Sequence, residues 1–484
     1  MITMSEANAK FAIELFRGLT GEHPCDNILC SPVNTTSALG VLALASGCEQ
    51  AAAIEKALHW DELQDCARPR SGRYLRTARR FGKTVNRLKA QEDQDTCSKQ
   101  KSRQQTAPRP RPCPQAAGPR ARPCPEPEPT CPRPRPHPEP TCPRPRPCPE
   151  QDEPPCPERD VPDYECENPE GVHTEFSKIV AALHAPSNNY TLSFANRLYG
   201  DSTIDLIHKF IYCALRLYRT EVVGLDIQNA PEEARRNINI WVEIKTHGKI
   251  MDLLPKDSID CLTQLLQVNA LYFKGKWQVK FDEELTVEAP FYSHDADARD
   301  CQTVLLMNRK GIYNTATVDI CGVEVQVLEI PCQDNEMSFF VLLPTDCSPE
   351  ALQQLEDSLT HEHLLGWSCD LKPTEVDVFI PKFSLERSVH VIEYLDLPNL
   401  QDPEKADFSQ ATTTEGVALT QLVHDTFIEI DEEGGEEPEA RRCPRDRRPR
   451  REAVEVVADH PFLYFILHNC TQSILALGKF AKPE

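Results

Sequence analysis

Apolar residues near the start of the chain recur at helical spacing. The residues that share one helical face are Phe11, Ala12, Leu15, Phe16 and Leu19. Ser5 stands where a helix N-cap is preferred, so the pattern predicts a first helix that begins there. A second apolar stretch follows at 28–46, and Ser31 with Pro32 marks the start of its helix. The helical pattern continues to about Leu63 and then stops.

Further along the chain, apolar and polar residues alternate at the spacing of β-strands. The run 191–200 alternates in this way, and 265–281 is apolar enough for a strand buried on both faces. Three later runs, EVQVLEIP, MSFFVLLP and EVDVFIPKF, repeat a strand that ends at or near proline. Helical spacing returns at 177–183 and from 237 to about 247. Many strands with interspersed helices predict the α+β class.

One long segment, residues 67–166, shows neither pattern. More than half of the 42 prolines fall between residues 108 and 169, and the sequence EPTCPRPRP occurs twice there. Alternating prolines favour an extended polyproline conformation with few amides for a sheet, so we expect disorder or a stiff tether. The predicted organisation is therefore one domain, formed by 1–66 and 167–484, with a low-complexity insertion at 67–166.

The insertion has three interpretations. The first is a neutral expansion without a function. The second is a basic tract for nuclear import or adaptor binding, because nine arginines or lysines and no acidic residue occur between residues 67 and 90. The third is a metal site, which the absence of any CxxC pair disfavours.

The charge balance separates the insertion from the rest of the chain. The chain carries 53 basic and 75 acidic residues, a net charge of −22, whereas the insertion has 21 basic against 13 acidic residues. The remainder is therefore strongly acidic. Such a body repels phosphates, which disfavours general nucleic-acid binding.

The cysteines and the N-terminus bear on cellular location. The 21 cysteines lack regular spacing, and their odd number excludes complete pairing. Charged residues interrupt the apolar run at the N-terminus, so we expect no cleavable signal peptide there. These features predict residence in the cytoplasm or nucleus with reduced thiols. We expect a monomer that does not bind membranes, and release from the cell by a non-classical route stays open.

Several segments, taken in their order, resemble the serpin family. They are NRLYG (196–200), an NxW triplet that ends at Trp241, THGKI (246–250), VNALYFKGKW (268–277), EVDVFIPKF (375–383), KADFS (405–409), LVHDTFIEIDEEG (422–434) and ADHPFLYFI (458–466). The resemblance extends from Ser5 to Pro483, apart from the insertion. Without a signal peptide, the chain is similar to the intracellular, ovalbumin-like branch (clade B).

The resemblance implies a serpin fold of three β-sheets and about nine helices, with an exposed reactive-centre loop. In this family a protease cleaves the loop, which then inserts as a new central strand of the main sheet and crushes the acyl-enzyme before it hydrolyses. A polar cluster holds that sheet closed until it parts. In this chain the cluster corresponds to Ser31, Asn34, Asn269 and His424, and Asn34 replaces the usual serine.

The resemblance places the reactive-centre loop at 431–459 and its scissile bond between Arg448 and Pro449. An arginine there suits a serine protease of trypsin-like specificity, whose pocket carries a carboxylate. Proline at the next position opposes cleavage, so the bond between Arg451 and Glu452 is a displaced alternative. A trypsin-like serine protease is therefore the expected partner.

The hinge of this loop departs from inhibitory serpins, which carry small residues there. The hinge residues are Glu432, Glu433, Gly434, Gly435, Glu437, Pro438 and Glu439. Strand alternation would turn five charged side chains between residues 435 and 447 toward the core, where each unpaired ion costs several kcal/mol. Pro438 and Pro444 also lack the amide that a central strand donates. The alternative interpretation is therefore a non-inhibitory serpin, which is a cleaved substrate or a binding protein.

The sequence bears on two other classes of function, which are binding of an anionic partner and catalysis. Seven arginines between Arg441 and Arg451 would suit an anionic partner or an import receptor. Catalysis is not expected, because the sequence contains no GxSxG, no phosphate-binding glycine loop and no HExxH. We expect neither a cofactor nor a metal ion.

Overall fold

A computed structural model describes residues 2–63, 164–167, 171–293, 302–397, 399–436 and 454–484. These residues contain eight α-helices and fourteen β-strands, so the predicted α+β class is confirmed. Residues 67–163 of the predicted insertion lie outside the described residues.

The α-helices of the described residues are α1 (Met4–Glu22), α2 (Pro32–Ala45), α3 (Cys48–Ala57), α4 (Val172–Leu183), α5 (His208–Tyr218), α6 (Pro231–Lys245), α7 (Pro349–Ser358) and α8 (His361–Asp370). The cap of α1 differs from the prediction. Thr3, not Ser5, is the N-cap, because its hydroxyl accepts from the Glu6 amide while the Glu6 carboxylate accepts from the Thr3 amide. The Ser5 hydroxyl instead donates to the carbonyl of Thr471 at 2.7 Å. No helix in these ranges is long and apolar enough to cross a membrane.

The strands form two hydrogen-bonded sheets. The larger contains β1 (Ile28–Cys30), β5 (Val287–Phe291), β6 (Gln302–Ile320), β7 (Val323–Pro331), β8 (Met337–Pro344), β9 (Lys372–Pro381), β12 (Val454–Val457), β13 (Phe462–His468) and β14 (Ser473–Phe480). The smaller contains β2 (Tyr190–Asp201), β3 (Glu221–Leu225), β4 (Leu265–Gly275), β10 (Phe383–Val389) and β11 (Leu419–Ile430).

The described strands form two sheets rather than the expected three because β6 is continuous. Residues 302–306 of β6 pair with β5, residues 306–315 pair with β9, and residues 314–320 pair with β7. One strand of 19 residues thus joins two groups of strands into a single sheet of nine.

The smaller, five-stranded sheet has the order β10-β11-β4-β2-β3. Its central strand β4 is buried from Leu265 to Phe273, as its apolar sequence predicted. The neighbours β11 and β4 run parallel from Leu419 opposite Leu265 to Glu429 opposite Lys274, with one register shift between Leu419 and Gln421. The other pairs that involve β10 and β4 are antiparallel.

Helix α2 links the two sheets, because it contacts β4 of the smaller sheet and β14 of the larger. It is buried around its whole circumference, because thirteen of its fourteen residues are buried. This placement brings the start of α2, at Ser31 and Asn34, against the face of the five-stranded sheet.

The last residues of the predicted insertion contact the folded body. Cys166 forms a disulfide with Cys213 of α5, and the rings of Tyr164 and Tyr212 meet at 5.6 Å between centroids. This bond corrects the expectation of reduced thiols for that pair. Among the other cysteines of the described residues, Cys25, Cys30, Cys48, Cys261, Cys321, Cys332 and Cys470 form no disulfide.

Candidate functional site

Three polar residues form a row across the five-stranded sheet. The strand register places Asn269 of β4 opposite His424 of β11 on one side and opposite Asn196 of β2 on the other. Asn269 and His424 are fully buried. Because side chains in one row share a face, all three meet the start of α2. The row crosses the parallel pair β4 and β11 near its middle.

Hydrogen bonds join this row to α2. The Asn269 side-chain amide donates to the Asn34 carbonyl at 3.0 Å and to Asn196 Oδ1 at 2.8 Å. The Asn196 side-chain amide donates in turn to Asn34 Oδ1 at 2.7 Å. Ser31 Oγ donates to the Leu475 carbonyl of β14 at 2.6 Å, which ties the cluster to the larger sheet.

His424 completes the cluster as a neutral imidazole. Its Nδ1 contacts Asn269 Oδ1, which is an acceptor, so Nδ1 carries the proton. Its Nε2 accepts from the Ser31 amide at 3.2 Å and from the Thr426 hydroxyl at 3.0 Å. Complete burial lowers the pKa of His424 to about 3, so the ring stays neutral at pH 7.

The structure therefore brings together all four residues that the sequence assigned to this cluster, which are Ser31, Asn34, Asn269 and His424. Sequence reasoning missed Asn196 and Thr426. Both lie on strands whose alternation puts them on the cluster's face, but only the register shows that Asn196 stands opposite Asn269.

The predicted hinge begins where the chain leaves β11. Residues 432–435, called here the loop start, do not continue the five-stranded sheet but pair with residues 276–281, called here the docking segment. The backbone hydrogen bonds are Trp277 N to Glu433 O at 2.9 Å, Phe281 N to Glu432 O at 3.1 Å, Gly435 N to Trp277 O at 2.8 Å and Lys280 N to Gly435 O at 2.9 Å. The Trp277 indole also donates to the Asp431 carbonyl at 2.5 Å.

This docking depends on two glycines. A Cβ atom at Gly434 would lie 2.7 Å from the Trp277 carbonyl oxygen and 2.8 Å from the Lys280 nitrogen. At Gly435 it would lie 2.8 Å from the Gln278 carbonyl oxygen. These contacts are with backbone atoms, so the loop start and the docking segment could not keep this spacing with a larger residue.

Ion pairs reinforce the docking on one side. Lys274 of β4 contacts both Asp431 at 2.7 Å and Glu433 at 2.8 Å, and Lys276 lies 3.4 Å from Glu433. The hydrogen bond from Lys274 is the largest cause that lowers the pKa of Glu433 below its usual range. The charge of Lys274 and the hydrogen bond and charge of Lys276 lower this pKa further. The charges follow strand alternation, with lysines at 274 and 276 and acids at 429, 431 and 433. That period of two is the sequence feature that could have predicted these pairs.

Glu432 points to the opposite side of the loop start. Its carboxylate accepts from Lys382 Nζ at 2.6 Å and from the Thr286 hydroxyl at 2.9 Å. Burial raises the pKa of Glu432, but the hydrogen bonds from Lys382, the backbone and Thr286 outweigh burial, so the net pKa lies below its usual value. Glu432 therefore stays ionised at neutral pH.

The far end of the predicted loop returns to the larger sheet. Strand β12 pairs in parallel with β9, and the Ala458 amide donates to the Phe379 carbonyl at 2.9 Å. The Tyr292 amide donates to the Asp459 carbonyl at 2.8 Å. The remaining predicted site residues lie outside the described residues; they are Glu437, Pro438, Glu439, Arg448, Pro449, Arg451 and Glu452.

The arrangement has one geometric consequence. The chain that follows β11 would have to reverse to enter the sheet, so it would run antiparallel to β11 and to the parallel strand β4. A strand inserted there would replace one parallel pair by two antiparallel pairs. Antiparallel pairing is slightly more stable per residue and adds a second ladder of hydrogen bonds.

Comparison with known sequences gives consistent matches. A family model described as "Serpin (serine protease inhibitor)" matches residues 6–107 and 159–483. Serpin B9 of Homo sapiens is 38% identical over 326 residues, which cover 65% of this chain and 83% of the relative. Leukocyte elastase inhibitor of Homo sapiens is 36% identical over 321 residues, which cover 65% of this chain and 83% of the relative.

Solved structures share the fold. Uncleaved ovalbumin matches 100% of both chains with a TM-score of 0.70 at 23% identity. A structure described as a tumour suppressing serpin covers 99% of both chains with a TM-score of 0.70 at 24% identity. At these identities the likeness concerns the fold alone.

Proposed function

Because the chain belongs to the serpin family, in its ovalbumin-like branch, we propose that it inhibits a serine protease of trypsin-like specificity as a suicide substrate. In this proposal the protease attacks the loop at 431–459, and the cleaved loop inserts between β4 and β11. The chain acts as an inhibitor and not as an enzyme.

The observation that carries this proposal is the closed parallel pair at the centre of the five-stranded sheet. Strands β4 and β11 are direct neighbours, and the loop leaves the sheet at the end of β11. A strand inserted between β4 and β11 would form two antiparallel ladders of hydrogen bonds in place of one parallel ladder. The free energy of these added hydrogen bonds would drive insertion. The polar cluster and the loop start restrain it until cleavage.

Arginine at the scissile position supports the trypsin-like preference. In the proposed arrangement the Arg448 guanidinium enters a protease pocket that carries a carboxylate, and two parallel hydrogen bonds give the contact its specificity. Pro449 opposes attack at that bond, so Arg451, followed by Glu452, is the second site to test.

The test is a stoichiometric incubation of the intact chain with trypsin, read on a denaturing gel. We expect a covalent complex whose mass is the sum of protease and inhibitor. Arg448→Ala and Arg451→Ala variants identify the reactive bond, because only one of them abolishes the complex, and Arg442→Ala is the matched control. Cleavage without any complex would contradict inhibition.

A specific observation favours a second candidate function, that of a non-inhibitory serpin whose loop is cut but does not insert. The loop start is anchored by four backbone hydrogen bonds and by ion pairs. Gly434 and Gly435 fit closely against the docking segment. Beyond it the sequence continues with Glu437, Pro438 and Glu439, which are poor residues for a central strand.

Thermal unfolding separates the two candidates. Insertion of the cleaved loop would raise Tm by tens of degrees, because a whole strand is added to the sheet, whereas a cleaved but excluded loop would leave Tm nearly unchanged. We further propose a monomer that acts in the cytoplasm or nucleus, with the basic tracts as contacts for an import receptor or another anionic partner. Fractionation of cells that express the chain with and without residues 67–163 tests this location.

A further inference from the structure

A small cavity lies beside the five-stranded sheet, away from the loop. Its volume is about 50 Å³, and five elements contribute to its wall. The residues that matter here are His184 after α4, Asn196 of β2, Arg219 after α5, Glu221 of β3, and Trp241 and Lys245 of α6. A cavity of this size has room for a water molecule or for an ion of similar radius, because one water needs only about 15 Å³ of such volume.

The charges around this cavity are mainly positive. Arg197, adjacent to the wall, forms an ion pair with Glu221, and this pair neutralises the one carboxylate present. Arg219 and Lys245 form no ion pair with any residue that the structure describes. Both residues are exposed, so an anion in the cavity would lie beside two solvated cations that no carboxylate of the described residues pairs with.

Two N–H donors near the cavity lack an acceptor. Trp241 lines the cavity, and its Nε1 is shielded from solvent without a hydrogen-bond partner in the described part of the chain. Arg197 Nε is shielded and unpartnered in the same way. The Arg197 guanidinium lies 4.0 Å from the centroid of the Trp241 ring, so the two donors belong to one group. Buried donors are almost always satisfied in native proteins.

The backbone at Arg219 is strained. This residue caps the C-terminus of α5 with φ at 53°, a left-handed conformation that normally favours glycine or asparagine. Arg219 is one of the residues that line the cavity. Burial and the nearby Arg219 charge lower the pKa of His184, against its hydrogen bond to the Val180 carbonyl, so His184 does not add a third charge.

We propose that this cavity binds one halide-sized monovalent anion, chloride being the common example, through the Trp241 indole N–H and the Arg219 and Lys245 side chains. The donor set has unpaired positive charge and an unused N–H, and the wall's single carboxylate is already paired. Binding reaches the polar cluster, because Asn196 lines the cavity and also hydrogen-bonds to Asn34 and Asn269. Anion binding should therefore stabilise the closed sheet.

The experiment measures Tm of the intact chain in sodium chloride and in sodium gluconate at constant ionic strength. Gluconate is too large for the cavity, so chloride should raise Tm with a saturable dose response, whereas a response equal in both salts would overturn the proposal. Lys245→Gln should weaken the chloride response about fivefold in apparent Kd, the size expected for one partly exposed charge. Lys256→Gln, an exposed lysine of the same chain, is the matched control and should respond like the wild type.

Two further readouts guard against an indirect effect of the substitutions. Arg219→Lys keeps the charge and should retain the chloride response, whereas Arg219→Gln should lose it. Crystals soaked in sodium bromide should show an anomalous peak within hydrogen-bond distance of Trp241 Nε1. A water at that position and no bromide peak would overturn the proposal, as would a full chloride response in Lys245→Gln.

Discussion

The polar cluster and the loop start hold the same parallel pair of strands, but by different physical means. The cluster at Asn269 and His424 is buried and uncharged, and hydrogen bonds join each of its members. The loop start at Glu432 and Glu433 is held by ion pairs with lysine side chains that are between 25% and 41% exposed, which are Lys274, Lys276 and Lys382.

The difference indicates how each restraint can be released. A buried neutral network is strong because an unpaired polar group inside the protein is costly, and salt does not screen it. Partly exposed ion pairs contribute little each and weaken as ionic strength rises. The cluster should therefore determine the stability of the closed sheet. The loop start should determine when the loop is released from the docking segment.

The largest expected effect is at the cluster. Asn269→Leu would leave the Asn34 carbonyl, Asn196 Oδ1 and the Ser31-bound His424 without their shared partner. We expect the free energy of unfolding to fall by about 4 kcal/mol, because several buried polar groups lose hydrogen bonds together. Urea unfolding followed by circular dichroism measures the change.

The control for this variant is Asn314→Leu, which removes an exposed asparagine that donates only to Glu329. It should change the free energy of unfolding by less than about 0.5 kcal/mol. Equal shifts in the two variants would show that the cluster adds no more than a surface contact.

The second effect is at the loop start. Gly435→Thr places a Cβ 2.8 Å from the Gln278 carbonyl oxygen, so the docked arrangement should lose about 2–3 kcal/mol through overpacking. Hydrogen exchange at the Trp277 and Lys280 amides should accelerate, because both donate across this contact. Gly224→Thr is the matched control, since a Cβ there meets no atom within 4 Å. Unchanged exchange in Gly435→Thr would mean that the loop start is not held by this fit.

The two regions also differ in what the sequence could predict. The family resemblance alone supplies the four members of the cluster, and the structure brings those four residues together. Asn196 was missed because register depends on how strands align in three dimensions, and one sequence does not specify that alignment.

At the loop start, the charges can be read from the sequence, but their partners cannot. Glu432 and Glu433 are among the predicted hinge residues, and the structure pairs them with Lys382, Lys274 and Lys276 outside the sheet. The disulfide of Cys166 with Cys213 was missed for a similar reason. Two cysteines that are 47 residues apart meet only after α5 has folded against the chain before α4.

Lowering the pH should reduce the free energy of unfolding through His424 of the cluster. The pKa of His424 is about 3 in the folded chain and near 6.5 when the ring is exposed, so the unfolded state binds a proton first as pH falls. The stabilisation is full above pH 6.5 and declines between pH 6.5 and 3, with a loss of about 2 kcal/mol between pH 7 and 5.

Urea midpoints from pH 7 to pH 5 in wild type and His424→Gln measure this loss. Burial also lowers the pKa of His173 to about 4, so His173 contributes in the same pH window and only the difference between the two proteins reports on His424. Parallel pH profiles would show that His424 does not titrate on unfolding.

The smallest expected effect is at the ion pair between Lys382 and Glu432, and it should depend on salt. Lys382→Met removes the 2.6 Å contact, and because Lys382 is 41% exposed the docked loop start should lose only about 1 kcal/mol. Hydrogen exchange at the Phe281 amide, which donates to the Glu432 carbonyl, measures this loss directly. Raising sodium chloride from 50 mM to about 1 M should speed exchange in the wild type and change it little in Lys382→Met, because the Debye length falls to about 3 Å. Lys256→Met should keep the wild-type salt dependence. If exchange in Lys382→Met also keeps the wild-type salt dependence, the backbone hydrogen bonds alone hold the loop start. The ion pairs would then not distinguish the loop start from the neutral cluster.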